Sequence, residues 1–92
     1  MDLTQRYKIN KDRITYRTID SEVVILNLEN GNYYTINESA AVIWGALNNN
    51  KDLSETLELV KKEYFQNNED EIQKDIKGFV NYLEKEKIIE KD

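Results

Sequence analysis

Asn30 and Gly31 stand between two short apolar segments, residues 23–28 and 33–36, and this arrangement predicts a β-hairpin. A two-residue type I′ turn needs positive φ at both central positions, which Asn-Gly adopts at the least cost. We therefore expect two antiparallel strands joined by this turn, the second of which leads directly into a helix.

The predicted turn also decides which residues face each other across the hairpin. In a type I′ register, Leu28 lies opposite Tyr33 and Ile25 lies opposite Ile36. We expect the face that contains Ile36 to meet the helices, because Ile36 directly precedes the first of them. Side chains alternate between the faces of a strand, so this face carries Val23, Ile25, Tyr34 and Ile36.

A further strand precedes the hairpin and a helix follows it. Residues 13–19 alternate and are rich in β-branched and aromatic residues, which is typical of a strand. Asn37 is a favoured N-cap residue, so the first helix is predicted to run from there to about Leu47. Residues 1–11 are mostly polar, and we expect them to be loosely held, with a short strand near residues 7–9.

Two more amphipathic helices complete the predicted fold. Asp52 and Glu55 form a capping-box pattern that opens a second helix, predicted to end at Phe65. A third helix is predicted from about Asp70 to about Lys87. Three antiparallel strands followed by three helices make an α+β fold, and this is the arrangement of a winged helix-turn-helix.

The composition argues against catalysis and against metal binding. The 92 residues include no Cys and no His, which excludes thiolate nucleophiles, Cys/His zinc sites and the most common general base. With three glycines in the whole chain, a glycine-rich phosphate-binding loop is also absent. We expect no enzymatic activity, no cofactor and no metal.

Charge and hydropathy narrow the class of partner. A net charge of −5 argues against a large contact with a nucleic-acid backbone. No apolar run approaches the about 18 to 20 residues of a membrane span, and no signal-peptide pattern opens the chain. We expect a cytoplasmic protein, a monomer or a weak dimer, that binds neither membrane nor nucleic acid. Lysines on the third helix leave a DNA-binding winged helix as one alternative, and a self-associating structural subunit is another.

The second hairpin strand, residues 33–36, contains neither Pro nor Lys. Exposed strand edges without such residues invite pairing with another strand. If the far side of this strand is unpaired, its backbone can accept a guest peptide by strand addition.

Two motifs carry a resemblance to a known family. The first is Leu26-Asn27-Leu28-x-x-Gly31-x-Tyr33-Tyr34-x-Ile36-Asn37-x-x-Ala40-Ala41-x-Ile43-Trp44, and the second is Asp75-Ile76-x-x-Phe79-Val80-x-x-Leu83 followed by Ile88-Ile89. Together they resemble the PqqD-like family of small peptide chaperones over about residues 23–90. The chain departs from the family pattern at Ala41, where Gly is frequent, and at Lys87, where a Gly usually precedes the apolar pair.

The resemblance implies a RiPP recognition element: a single non-catalytic domain over residues 1–92 with a winged helix-turn-helix fold. Such a domain binds the leader segment of a ribosomally made precursor peptide and presents it to a modifying enzyme, for example a radical SAM enzyme, a protease or a cyclase. The leader adds as a strand to the third strand and packs against the third helix. Carried onto this sequence, the peptide-binding residues are Tyr33, Tyr34, Thr35 and Ile36 on the strand and Ile72, Asp75, Ile76, Phe79 and Val80 on the helix.

Overall fold

The computed structural model describes residues 2–64 and 68–92, with residue 64 described by its backbone alone. The predicted end of the second helix at Phe65 therefore lies outside the described residues. The elements in chain order are β1 (Tyr7–Ile9), β2 (Ile14–Ile19), β3 (Glu22–Asn27), β4 (Tyr33–Ile36), α1 (Glu38–Asn48), α2 (Leu53–Tyr64), α3 (Glu69–Lys85) and β5 (Ile89–Lys91).

The predicted α+β architecture is confirmed. Strands β2, β3 and β4 form an antiparallel three-stranded sheet in that order, and the three helices follow it in the chain. Beyond the prediction, β1 and β5 pair antiparallel in a second, two-stranded sheet that joins the two ends of the chain. None of the described helices is long and apolar enough to cross a membrane.

The predicted hairpin register is wrong by two residues. Val23 lies opposite Ile36 and Ile25 lies opposite Tyr34, instead of Ile25 opposite Ile36. Because side chains alternate with a period of two, a shift of two residues leaves every side chain on its predicted face. The predicted inward face is accordingly confirmed, and Val23, Ile25 and Ile36 are all buried.

Asn27 gives the physical reason for the shift. Its side-chain oxygen accepts hydrogen bonds from the backbone N–H groups of Glu29 at 2.8 Å and Asn30 at 3.3 Å. Its backbone carbonyl accepts from Gly31 N–H at 2.8 Å. Residues 28–32 therefore form a longer loop, in which Gly31 alone has a positive φ, 76°. A type I′ turn, which needs two such residues, does not form.

The three-stranded sheet packs its inward face on the helices through aliphatic and aromatic contacts. The ring of Tyr16 on β2 meets Trp44 on α1 edge to face, with 5.3 Å between ring centroids. The Tyr16 hydroxyl also accepts a hydrogen bond from Asn48 Nδ2 at 2.9 Å, so β2 is fixed to the last turn of α1. The helices contribute buried side chains to the same core, among them Ile43, Leu47, Leu53, Leu57, Ile76 and Leu83.

Helix caps set where the helices begin. The Asn37 side chain accepts from the backbone N–H of Ala40 at 3.0 Å, so α1 starts one residue after β4 ends. The predicted capping box of α2 is confirmed: Asp52 Oδ1 accepts from Glu55 N–H at 2.8 Å, and Glu55 Oε1 accepts from Asp52 N–H at 3.0 Å. Because Asn37 is the single residue between β4 and α1, its cap sets the orientation of the strand relative to the helix.

The N-terminal segment is held against the domain, in contrast to the loose segment expected from its polarity. Tyr7 and Ile9 of β1 are buried in the common core. The backbone carbonyls of Leu3 and Gln5 accept hydrogen bonds from the first turn of α2 at 2.9 and 3.2 Å. These bonds, together with the pairing to β5, compensate for the low apolar content of the segment.

Candidate functional site

β4 is an edge strand of the three-stranded sheet. Within residues 2–64 and 68–92, β3 pairs with one side of β4 and no strand pairs with the other. The side chains of Tyr33 and Thr35 are exposed, Tyr33 to 70%, whereas Tyr34 is half-buried and Ile36 is buried. The strand thus presents an open backbone edge while one of its faces is anchored in the core.

The hydrogen-bond pattern shows which backbone groups lie at that edge. Asn27 N–H donates to the carbonyl of Asn32 at 2.8 Å, so these opposed residues form a hydrogen-bonded pair. Bonded and non-bonded pairs alternate along an antiparallel ladder. Tyr34 therefore bonds to β3, whereas the N–H and C=O groups of Tyr33 and Thr35 point away from it. Two donors and two acceptors face outward.

Two contacts connect this strand and the residue after it to α3, and their order along the chain is that of a helix running in the opposite direction. The ring of Tyr34 meets Tyr82, near the end of α3, edge to face with 6.2 Å between centroids. Asn37, just after β4, lines a cavity together with Asp75 in the first half of α3. The strand advances about 10 Å from Tyr34 to Asn37, and the helix advances about 10 Å from Asp75 to Tyr82. The two contacts are therefore compatible with an antiparallel arrangement of strand and helix. We call the space between the free edge of β4 and α3 the β4–α3 groove.

An apolar cavity of about 380 Å³ lies between the three helices and adjoins this groove through Asn37, which follows β4; none of the four β4 residues lines it. Its volume falls within the range of about 300–1,000 Å³ that is usual for ligand pockets. Aliphatic and aromatic side chains form most of its wall, and two carboxylates lie among them. The lining residues are Asn37, Ser39, Ala40, Ile43, Val60, Glu71, Ile72, Asp75, Ile76 and Phe79.

The structure brings together four of the five helix residues that the sequence assigned to the site. Ile72, Asp75, Ile76 and Phe79 all line the cavity, Asp75 exposed, Phe79 half-buried and the two isoleucines buried. Val80 does not join them. It lies on the other side of α3, where it is buried and lines a second cavity toward the N-terminal segment.

The sequence prediction missed two α3 residues of the groove, Glu71 and Tyr82, and every lining residue outside α3: Asn37, Ser39, Ala40, Ile43 and Val60. Glu71 lies four residues before Asp75, and Tyr82 lies three residues after Phe79, so both fall on the same side of α3. Helical spacing from the predicted site residues was the signal that could have found them. Burial raises the pKa of the Tyr82 hydroxyl, and the nearby carboxylate of Glu86 raises it further. Glu86 caps α3 four residues after Tyr82, one turn further along the helix.

The groove offers backbone hydrogen bonds and apolar contact, which are the means of binding an extended peptide. The described residues contain no group of three or more Asp, Glu, His or Cys that could hold a metal ion. The polar groups in the cavity wall are two carboxylates, the Ser39 hydroxyl and the Asn37 amide. The Ser39 hydroxyl donates to the Asn37 side-chain oxygen at 3.0 Å, and the same oxygen caps α1. Both of these groups therefore take part in the helix cap.

Comparison with known proteins finds a similar solved structure and a matching family model. The solved structure of TbiB1 in complex with the TbiA(beta) leader peptide is similar to this chain, with a TM-score of 0.82 and 28% sequence identity. The match covers 90% of this chain and 94% of that one. No curated protein matches the sequence. The family model for coenzyme PQQ synthesis protein D, PqqD, matches residues 22–89, which span β3 through the start of β5. The chain therefore belongs to the PqqD family.

Proposed function

We propose that this protein is a non-catalytic module that binds the leader segment of a ribosomally synthesised precursor peptide. The leader adds as a fourth strand to β4, beside α3, and is presented there to a peptide-modifying enzyme. The observation that carries the proposal is the outward-facing backbone of Tyr33 and Thr35 next to an apolar groove. The similarity to TbiB1, whose solved complex holds a leader peptide, supports the same assignment.

Strand addition explains why an open edge and a cavity occur side by side. Guest residues alternate, so every second side chain points toward α3 and the others point to the face that carries Tyr33 and Thr35. The two outward N–H and two outward C=O groups of β4 can form up to four hydrogen bonds. At about 0.5–1.5 kcal/mol each, these contribute about 2–6 kcal/mol.

Backbone bonds alone do not account for stable binding. Association costs about 4–15 kcal/mol of translational and rotational freedom, which offsets most or all of the contribution of the edge. Burial of one Leu- or Phe-sized guest side chain adds about 1.5–3 kcal/mol. The cavity lined by Ile72, Ile76 and Phe79 is the place where such an anchor can be buried. The edge therefore provides register, and the cavity provides affinity and selectivity.

The proposed contact set follows from this geometry. Tyr33 and Thr35 bond the guest backbone, Tyr34 and Ile36 border its inward side chains, and the groove side of α3 contacts those side chains. Val80 supports the groove from the core instead of contacting the guest. The enzyme that receives the leader is of the class that modifies such precursors, a radical SAM enzyme, a protease or a cyclase, and the module itself acts as a monomer or weak dimer.

Amide chemical-shift mapping tests the proposal. A synthetic leader peptide, taken from a precursor gene next to the gene of this chain, is titrated into the ¹⁵N-labelled protein. We expect shifts at Tyr33, Tyr34, Thr35 and Ile36 and along α3, and no shifts with a scrambled peptide of the same composition. Shifts confined to other surfaces would contradict strand addition. Salt-sensitive binding of generic duplex DNA in place of the peptide would support the DNA-binding alternative.

A further inference from the structure

The charged residues that line the cavity of the β4–α3 groove are both acidic. Glu71 and Asp75 line the cavity of the β4–α3 groove, and Glu86 lies close enough to Tyr82 to raise the pKa of its hydroxyl. Lys77 lines the second cavity, on the opposite flank toward the N-terminal segment. Lys74 and Lys85 lie three residues after Glu71 and Tyr82, respectively, on the exposed side of α3, and neither lines the cavity. The cavity wall is therefore acidic.

The strand side of the groove does not neutralise this charge. β4 consists of two tyrosines, a threonine and an isoleucine, and the described residues that line the cavity include no Lys or Arg. Within residues 2–64 and 68–92, neither Glu71 nor Asp75 forms an ion pair, whereas Lys61 of α2 pairs with both Glu58 and Glu69. The two groove carboxylates are left to interact with whatever occupies the groove.

The spacing of these carboxylates matches the repeat of a guest strand. Glu71 and Asp75 are four residues apart on a helix, which is about 6 Å along its axis. Side chains on one face of a strand repeat every two residues, or about 6.6 Å. A guest strand that lies between β4 and α3 can therefore bring successive inward-facing side chains to Glu71 and Asp75 in turn.

From these observations we infer that the leader recognised by this groove is cationic as well as apolar. It is an extended segment with one large apolar side chain seated in the cavity and a Lys or Arg two residues away on the same face, paired with Glu71 or Asp75. This inference rests on the proposed function and specifies its ligand class. An acidic leader of the same apolar pattern is rejected by charge repulsion in the groove.

A display selection followed by calorimetry tests the inference with peptides of random sequence, so the natural precursor is not needed. A library of random peptides is selected on the intact protein, and enriched sequences are synthesised. We expect Lys or Arg to be enriched two residues from an apolar residue. An exposed ion pair changes Kd by up to about fivefold, so exchange of that Lys for Glu should weaken binding by about fivefold or more. The effect should shrink at high salt.

Two matched double variants locate the effect. Glu71→Gln with Asp75→Asn removes the groove charges, and the Lys-to-Glu difference in Kd should then fall to within about twofold. Asp12→Asn with Asp20→Asn removes the same total charge beside β2, the opposite edge of the sheet, and should leave that difference unchanged. An equal fall in both variants would assign the preference to net charge and overturn the inference.

The outcomes separate this inference from the proposed function. Enriched peptides that shift the amide signals of Tyr33 and Thr35 but show no preference for Lys or Arg overturn the charge inference alone. Enriched peptides that leave β4 unperturbed, or the absence of any enrichment, overturn strand addition itself. Enrichment of Asp or Glu at the inward positions contradicts the charge inference directly.

Discussion

Replacement of Thr35 by proline tests strand addition at a single backbone group. The N–H of Thr35 points away from β3, so proline removes no hydrogen bond of the sheet, and edge strands tolerate proline at such positions. A bound guest strand would lose the donor for one of its carbonyls. A buried acceptor left without its partner costs about 1–3 kcal/mol, which corresponds to a Kd about 5- to 150-fold weaker.

Two control variants make this prediction specific. Thr35→Ala removes the same side chain but keeps the N–H, and we expect its Kd to stay within about twofold of the parent, since the side chain lies on the exposed face. Thr18→Pro makes the same chemical change on β2. Leu28 N–H donates to the Arg13 carbonyl at 2.8 Å, so these opposed residues form a hydrogen-bonded pair. Because bonded and non-bonded pairs alternate along the β2–β3 ladder, the N–H of Thr18 points away from β3, toward the other edge of the sheet. Thr18→Pro should therefore leave peptide binding unchanged.

Isothermal titration calorimetry with the leader peptide measures the three Kd values, and circular dichroism shows that each variant is folded. If Thr35→Pro and Thr35→Ala bind equally well while both are folded, the guest does not bond to this edge. If Thr18→Pro weakens binding as much as Thr35→Pro, proline acts through the stability of the whole sheet. Either result would contradict a hydrogen bond from the Thr35 N–H to the guest strand.

Three further predictions concern the scaffold. Gly78→Ala should raise the free energy of unfolding by about 0.5–1 kcal/mol, because a Cβ at this exposed helical position meets no atom within 4 Å; a lower denaturation midpoint would contradict the helical assignment. Asn37→Ala should lower that free energy by about 1 kcal/mol through loss of the α1 cap, and Asn37→Ser should retain most of it; equal effects would show that the cap is unimportant. Hydrogen bonds from Glu55 N–H and from the Ser54 hydroxyl lower the pKa of Asp52 below its ordinary 3.8. The stability that this carboxylate contributes is thus complete above pH 3.8 and is lost as the pH falls through the lower, folded-state pKa. The difference in unfolding free energy between the parent and Asp52→Asn should therefore shrink only on the acid side. A difference that stays constant across pH would contradict this role of Asp52.

The features that were predictable from the sequence are those encoded by neighbouring residues. The cap at Asn37, the capping box of Asp52 and Glu55 and the inward face of the hairpin depend on short spacings, and all three are confirmed. The register of the hairpin was not predictable in this way, because the Asn27 side chain accepts a hydrogen bond from the loop N–H of Glu29. This bond stabilises a longer loop than the expected two-residue turn. A turn dipeptide shows where the chain reverses, but not which neighbour bonds to the loop.

Long-range pairing and side-chain direction were the parts that local patterns could not supply. The pairing of β1 with β5 joins opposite ends of the chain, and neither strand has a pronounced apolar pattern. In α3, the apolar stripe located the core but not which flank faces β4. The contact of Tyr82 with Tyr34 and the cavity shared by Asn37 and Asp75 decide that question. The cavity linings place Glu71 at the groove and Val80 away from it.

Hydrogen exchange at individual amides of β4 tests strand addition most directly. In the free protein, the amide of Tyr34 should be protected by its bond to β3, while those of Tyr33 and Thr35 should exchange quickly. Saturation with the leader peptide should protect Tyr33 and Thr35 selectively and change Tyr34 little. Tight binding that leaves both outward amides exchanging at their free rates would contradict strand addition to β4.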